Sequence, residues 1–126
     1  QNMKLRHLFL DIILKSRNTG VYSDKLIEIK VFKNHLNIDT LQTIVSKLVI
    51  NTKEYRLLVK RQAIPYLLII YEQKEFPELL KQYKKQLQQK AMSDGQRMKV
   101  NFYKKTDIEN FKEIDFFKDS PSVEIP

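Results

Sequence analysis

Hydrophobic positions along the chain fall into runs with two different periods. From Met3 to Ser16, Leu5, Leu8, Phe9, Ile12 and Ile13 recur at the i, i+3, i+4 spacing that predicts an amphipathic helix. Arg17-Asn18-Thr19-Gly20 is its stop signal, and Ser23 is placed to cap a second helix from Asp24 to about Asn34. Over that second segment Ile27, Ile29 and Val31 also alternate with Glu28 and Lys30, so a strand competes with the helix. Asn37 or Asp39 caps a third helix from Thr40 to about Asn51, with Leu41, Ile44, Val45, Leu48 and Val49 as its stripe. Two apolar runs follow, Tyr55 to Arg61 and Tyr66 to Tyr71. The link through Pro65 reads as the turn of a hairpin. Phe76 to Met92 is a polar helix with Pro77 in its first turn, and Ser93-Asp94-Gly95 ends it. Met98 to Tyr103 alternates as a short strand, and Thr106 to Asp119 opens on a capping box.

Helix, link, helix, turn, helix and hairpin is the element order of a winged helix. The run from Gly20-Val-Tyr-Ser-Asp-Lys-Leu26 through Leu41–Ile50 to Tyr55–Arg61 resembles that family over roughly residues 3–74. The fold class expected is therefore α+β and predominantly helical. It has a winged-helix core of three helices and a β-hairpin over residues 1–74. A C-terminal helical extension over 75–119 packs on the core, and 120–126 form a tail, all in one compact domain. With its extra C-terminal elements the chain also resembles the self-associating domain that ends a budding-yeast silent-information regulator protein. That resemblance implies homodimerisation in a chromatin-silencing or transcription-associated protein, and a nuclear location.

Composition narrows the chemistry. There is no cysteine, hence no thiolate metal site or thiol nucleophile, and the two glycines cannot build a phosphate-cradling loop. No apolar run is long enough to span a membrane. The net charge of +8 is uneven: residues 1–74 carry +7, 75–105 carry +5 and 106–126 carry −4. A basic body suits phosphate, but Lys outnumbers Arg eighteen to five, and bidentate recognition favours Arg.

Candidate residues follow from these patterns. The strand Tyr66–Tyr71 is apolar on both faces, and with the terminal phenylalanines it exceeds the needs of a small core. Tyr66, Leu68, Ile70, Tyr71, Phe111, Phe116 and Phe117 are therefore the expected interface of a homodimer, the commonest symmetric assembly. The alternative is a DNA-binding winged helix touching phosphates through Lys47, Lys53, Arg56, Lys60 and Arg61. His7 and His35 have no ligand partner at helical spacing, and no nucleophile elbow is present. The sequence thus predicts a non-enzymatic interaction module with no cofactor, no metal and no small-molecule substrate.

Overall fold

A carboxylate near the start of a β-branched run sets the frame of the fold. A computed structural model describes residues 3–5, 8–10, 12–14 and 23–109; Phe111, Phe116, Phe117 and the tail lie outside these. Three short strands, β1 (Met3–Leu5), β2 (Leu8–Leu10) and β3 (Ile12–Leu14), come first, followed by the long strand β4 (Asp24–Phe32). The chain then runs through α1 (Ile38–Val59), β5 (Ala63–Tyr71), α2 (Pro77–Ser93), β6 (Lys99–Lys104) and the short α3 (Lys105–Glu109).

β1 and β2 pair with each other, and the remaining strands form one sheet in the order β3-β4-β5-β6. β3 runs antiparallel to β4, with Ile12 opposite Ile27. β4, β5 and β6 are mutually parallel, with Leu26 opposite Pro65 and Tyr66 opposite Lys99. Parallel neighbours need a crossover, and α1 and α2 supply the two. The helices touch each other and share one apolar cluster, so both cover the same face of the sheet.

This is an α/β fold, and it overturns the expected winged helix in four places. Residues 3–5, 8–10 and 12–14 are strands, not one helix. Short apolar runs rich in Ile and Phe satisfy either period, and pairing decides between them. Residues 24–32 take the strand alternative that Ile27, Ile29 and Val31 allowed. The third helix does not stop at Asn51. The stripe Leu41, Val45, Leu48, Thr52, Tyr55 continues unbroken, so the supposed first hairpin strand is the last two turns of α1. The supposed hairpin turn at Pro65 lies inside β5, where β6 begins to pair only at Tyr66. One side of β5 is therefore still open at the residue that has no N–H to offer. Two expectations hold: α2 spans Pro77–Ser93 with proline in its first turn, and β6 is a strand.

The core explains why Tyr66–Tyr71 is apolar on both faces. β5 is an inner strand of the sheet, and such strands read as continuous hydrophobic runs. Leu67 and Ile69 pack with Leu26, Leu41, Val45, Leu48, Leu87 and Val100 on the helix side. Tyr66 and Leu68 pack with Ile27 on the other side, with Ile29, Ile64 and Tyr103 around them.

Polar groups fix the ends of the elements. Asn37 Oδ1 caps α1 by accepting from the N–H groups of Asp39 and Thr40. The helix closes on Lys60, left-handed at φ 59°, and Gly95 takes φ 78° just after α2. Asp24 is fully buried. Its carboxylate accepts two bonds from Arg61, at 2.8 and 2.9 Å, and one from the Tyr55 hydroxyl at 2.7 Å. The start of β4 is thereby clamped to the end of α1 and to the loop leading into β5. Burial, then the hydrogen bond to Asp24 and its charge, holds the Tyr55 phenol well above its ordinary value.

Two outcomes follow for stability. Tyr55→Phe is expected to cost about 1.5–3 kcal/mol in urea unfolding, the range for a bond to a charged group, and Arg61→Met to lower the midpoint further than Lys60→Met. The raised phenol stabilises the fold fully below its unfolded value of about 10 and loses that contribution as pH rises beyond it. Burial lowers the Lys25 ammonium, so Lys25 adds stability with rising pH only until unfolded lysine deprotonates near 10.4. An unfolding midpoint that drops above about pH 10 in the wild type, and drops less in Tyr55→Phe, is the expected result.

Candidate functional site

Alternation along β4 decides which side chains meet α1. Asp24 and Leu26 face the helices, so Glu28, Lys30 and Phe32 do as well, while Ile27 and Ile29 face away. Apolar side chains cover most of this face, but beside α1 it carries a carboxylate and an amine. Lys30 Nζ lies 3.2 Å from Glu28 Oε2; the Glu28 side chain is 15% exposed and that of Lys30 42%. The wall opposite is one side of α1, where Ile44, Lys47, Leu48 and Asn51 recur at i, i+3, i+4, i+7. Together these six residues line an open cleft of about 140 Å³. β2 lies against α1 and β4.

The cleft joins a carboxylate oxygen, an amide and two ammonium groups above an apolar floor of Ile44 and Leu48. Carboxylate and amide oxygens suit hard cations such as magnesium or manganese. Among the described residues no group of three His, Cys, Asp or Glu is placed to hold a metal. A cation here would take few protein ligands and share the rest with substrate and water, the usual habit of magnesium. A second polar contact lies at the C-terminal ends of the parallel strands. There Glu75 accepts from the Leu36 N–H at 3.1 Å and faces His35 Nδ1 at 3.2 Å, tying the loop before α1 to the loop after β5.

The residues singled out from sequence fall in different places. Lys47 is exposed and lines the cleft. Lys53 donates to the Asp94 carbonyl at 2.6 Å, and Arg56 to the Gln96 side chain at 2.6 Å and the Ala63 carbonyl at 3.3 Å. Lys60 is the left-handed cap, and Arg61 is committed to Asp24. No hairpin gathers these five, since Lys47 to Arg56 lie along α1. Of the expected interface, Tyr66 is 2% exposed and Leu68 0% within the single chain, and Tyr71 packs against the main core. Ile70 is half-buried, and the three phenylalanines lie outside the described residues.

Sequence reasoning missed Glu28 and Lys30. The signal was present in the alternation of Ile27, Ile29 and Val31, which as a strand leaves Glu28 and Lys30 together on the opposite face. No family model matches the chain, and no curated protein or solved structure is significantly similar to it. Among the described residues no helix is long and apolar enough to cross a membrane.

Lys30 is the more open partner of the Glu28–Lys30 pair, so its half of the contact contributes little to the fold. Lys30→Met is expected to shift unfolding by less than about 1 kcal/mol in urea. That variant then serves as a folded control for any loss of activity.

Proposed function

We propose that this chain hydrolyses phosphodiester bonds of nucleic acid with the help of a divalent cation, using the cleft between β4 and α1. The observation that carries the proposal is the Glu28–Lys30 pair, 3.2 Å apart on one face of a sheet strand, opposite Lys47 and Asn51. The chain's formal charge of +8 draws anionic polymers toward it, and phosphate contacts by Lys are independent of sequence.

Each residue has a role that its chemistry supports. Glu28 would hold the cation through its carboxylate, and the Asn51 side-chain amide lines the same cleft. When bound, such a cation polarises a phosphoryl oxygen and lowers the pKa of an attacking water. Lys30, held next to Glu28, offers its ammonium to the charge that develops on the phosphate. Lys47 grips a neighbouring phosphate and positions the substrate.

The chromatin role, the nuclear location and the DNA-contacting wing leaned on the winged-helix resemblance, and that fold is overturned. The homodimer rested on the apolar surplus of the strand Tyr66–Tyr71, of which Tyr66 and Leu68 are buried within the chain. The basic charge that motivated the DNA reading is retained in the present proposal as attraction to the substrate.

The test is incubation of purified protein with supercoiled plasmid and with labelled single-stranded DNA and RNA, with magnesium, manganese or EDTA. Cleavage is expected with metal and not with EDTA. Glu28→Gln is expected to lower the rate at least about 100-fold and Lys30→Met about 10- to 1,000-fold, the scale of losing one electrostatic group at a reacting centre. Lys47→Ala is expected to raise KM more than it lowers kcat. Absence of cleavage of all three substrates, or cleavage undiminished in Glu28→Gln, contradicts the proposal.

A further inference from the structure

β6 is the last strand of the sheet among the described residues, and a concave surface runs along it beside α2. One cleft of about 400 Å³ is lined by Gln88, Met92, Arg97 and Lys99, with Ile64 and Met98 as its apolar floor. A second, of about 180 Å³, is lined by Lys84, Gln88, Lys99, Val100 and Asn101. They share Gln88 and Lys99, so they form one continuous groove.

The lining of this groove is one-sided in charge. It holds three cations, two side-chain amides and no carboxylate. Lys84 donates to Asn101 Oδ1 at 3.4 Å, and among the described residues neither it, Arg97 nor Lys99 pairs with an acidic group. Lys84 and Gln88 are one helical turn apart on α2, while Lys99 and Asn101 share the face of β6 that points away from the helices, so Lys84 meets Asn101 around the edge of the sheet. Met92 is 57% exposed at the rim, an apolar surface beside the cations.

We infer that this groove holds the backbone of a single-stranded nucleic acid. Cations spaced along a groove track a phosphate backbone without reading sequence, and Met92 offers an apolar surface beside them. β4 and β6 are two strand spacings apart, about 10 Å, so the groove and the Glu28 cleft lie toward opposite sides of the sheet. The inference takes its ligand class from the phosphodiesterase reading and adds a surface remote from the cleavage cleft.

Fluorescence anisotropy of a labelled 20-nucleotide single strand in EDTA, where cleavage does not intervene, measures binding across a salt titration. Lys84→Glu/Arg97→Glu/Lys99→Glu is expected to weaken binding at least 10-fold. The uncharged set Lys84→Gln/Arg97→Gln/Lys99→Gln, with far-ultraviolet circular dichroism as the check on folding, is expected to reduce the log K against log salt slope by about 2, at about 0.7 per lost contact. Hydrolysis of bis(p-nitrophenyl) phosphate, too small to span the groove, is expected to be unchanged in both. Unchanged affinity and slope in the uncharged set overturn the inference, as does competition by poly-glutamate equal to that by oligonucleotide, which would assign the groove to an acidic protein. If wild type binds through these three residues but hydrolyses neither the small ester nor the oligonucleotide, the groove stands and the catalytic reading falls.

Discussion

A carboxylate with no access to water must be met by donors, and Asp24 is met by three hydrogen bonds from two residues distant in sequence. That requirement ties the first residue of β4 to Tyr55 on the last turns of α1 and to Arg61 in the loop before β5. It also fixes the alternation of β4. A slip of one residue would turn Asp24 away from Tyr55 and carry Leu26, Glu28 and Lys30 to the far face of the sheet. The geometry of the cleft is thus inherited from a contact that takes no part in its chemistry.

The two faces of the sheet divide the work. On one, α1 and α2 bury a continuous apolar layer, and where β4 meets the flank of α1 polar side chains reach the surface together. On the other, Tyr66 and Leu68 are fully covered within the chain, so the apolar strand that suggested a docking surface belongs to the interior. The cleft lies toward the β4 side of the sheet and the basic groove along β6, with the helix pair between them. On the proposed reading, a polymer long enough to span both would be cut at one and held at the other.

Some of this was legible in the residues and some was not. α2, β6 and the Asn37 cap could be read directly because Pro77, the break at Ser93–Gly95 and a polar cap before an apolar stripe are local signals. The extent of α1 was also in the sequence. Tyr55, Leu58 and Val59 continue its stripe, but β-rich composition at Tyr55–Arg61 and the proline that followed drew attention to a hairpin. Pro65 misled because it was judged without its neighbours; only the pairing shows that β6 starts one residue later. Glu28 and Lys30 come together only when the segment is a strand whose partner on that side is α1, and long-range packing decides that.

In the function proposed, water attacks a phosphodiester in the Glu28 cleft. Cleavage of a defined oligonucleotide in ¹⁸O-enriched water, followed by mass spectrometry of the products, tests it most directly. The expected result is one solvent oxygen incorporated at the new phosphate terminus by the wild type and essentially no product from Glu28→Gln. Recovery of intact oligonucleotide from the wild type with every divalent cation tried, or product whose new terminus carries no solvent oxygen, would contradict it.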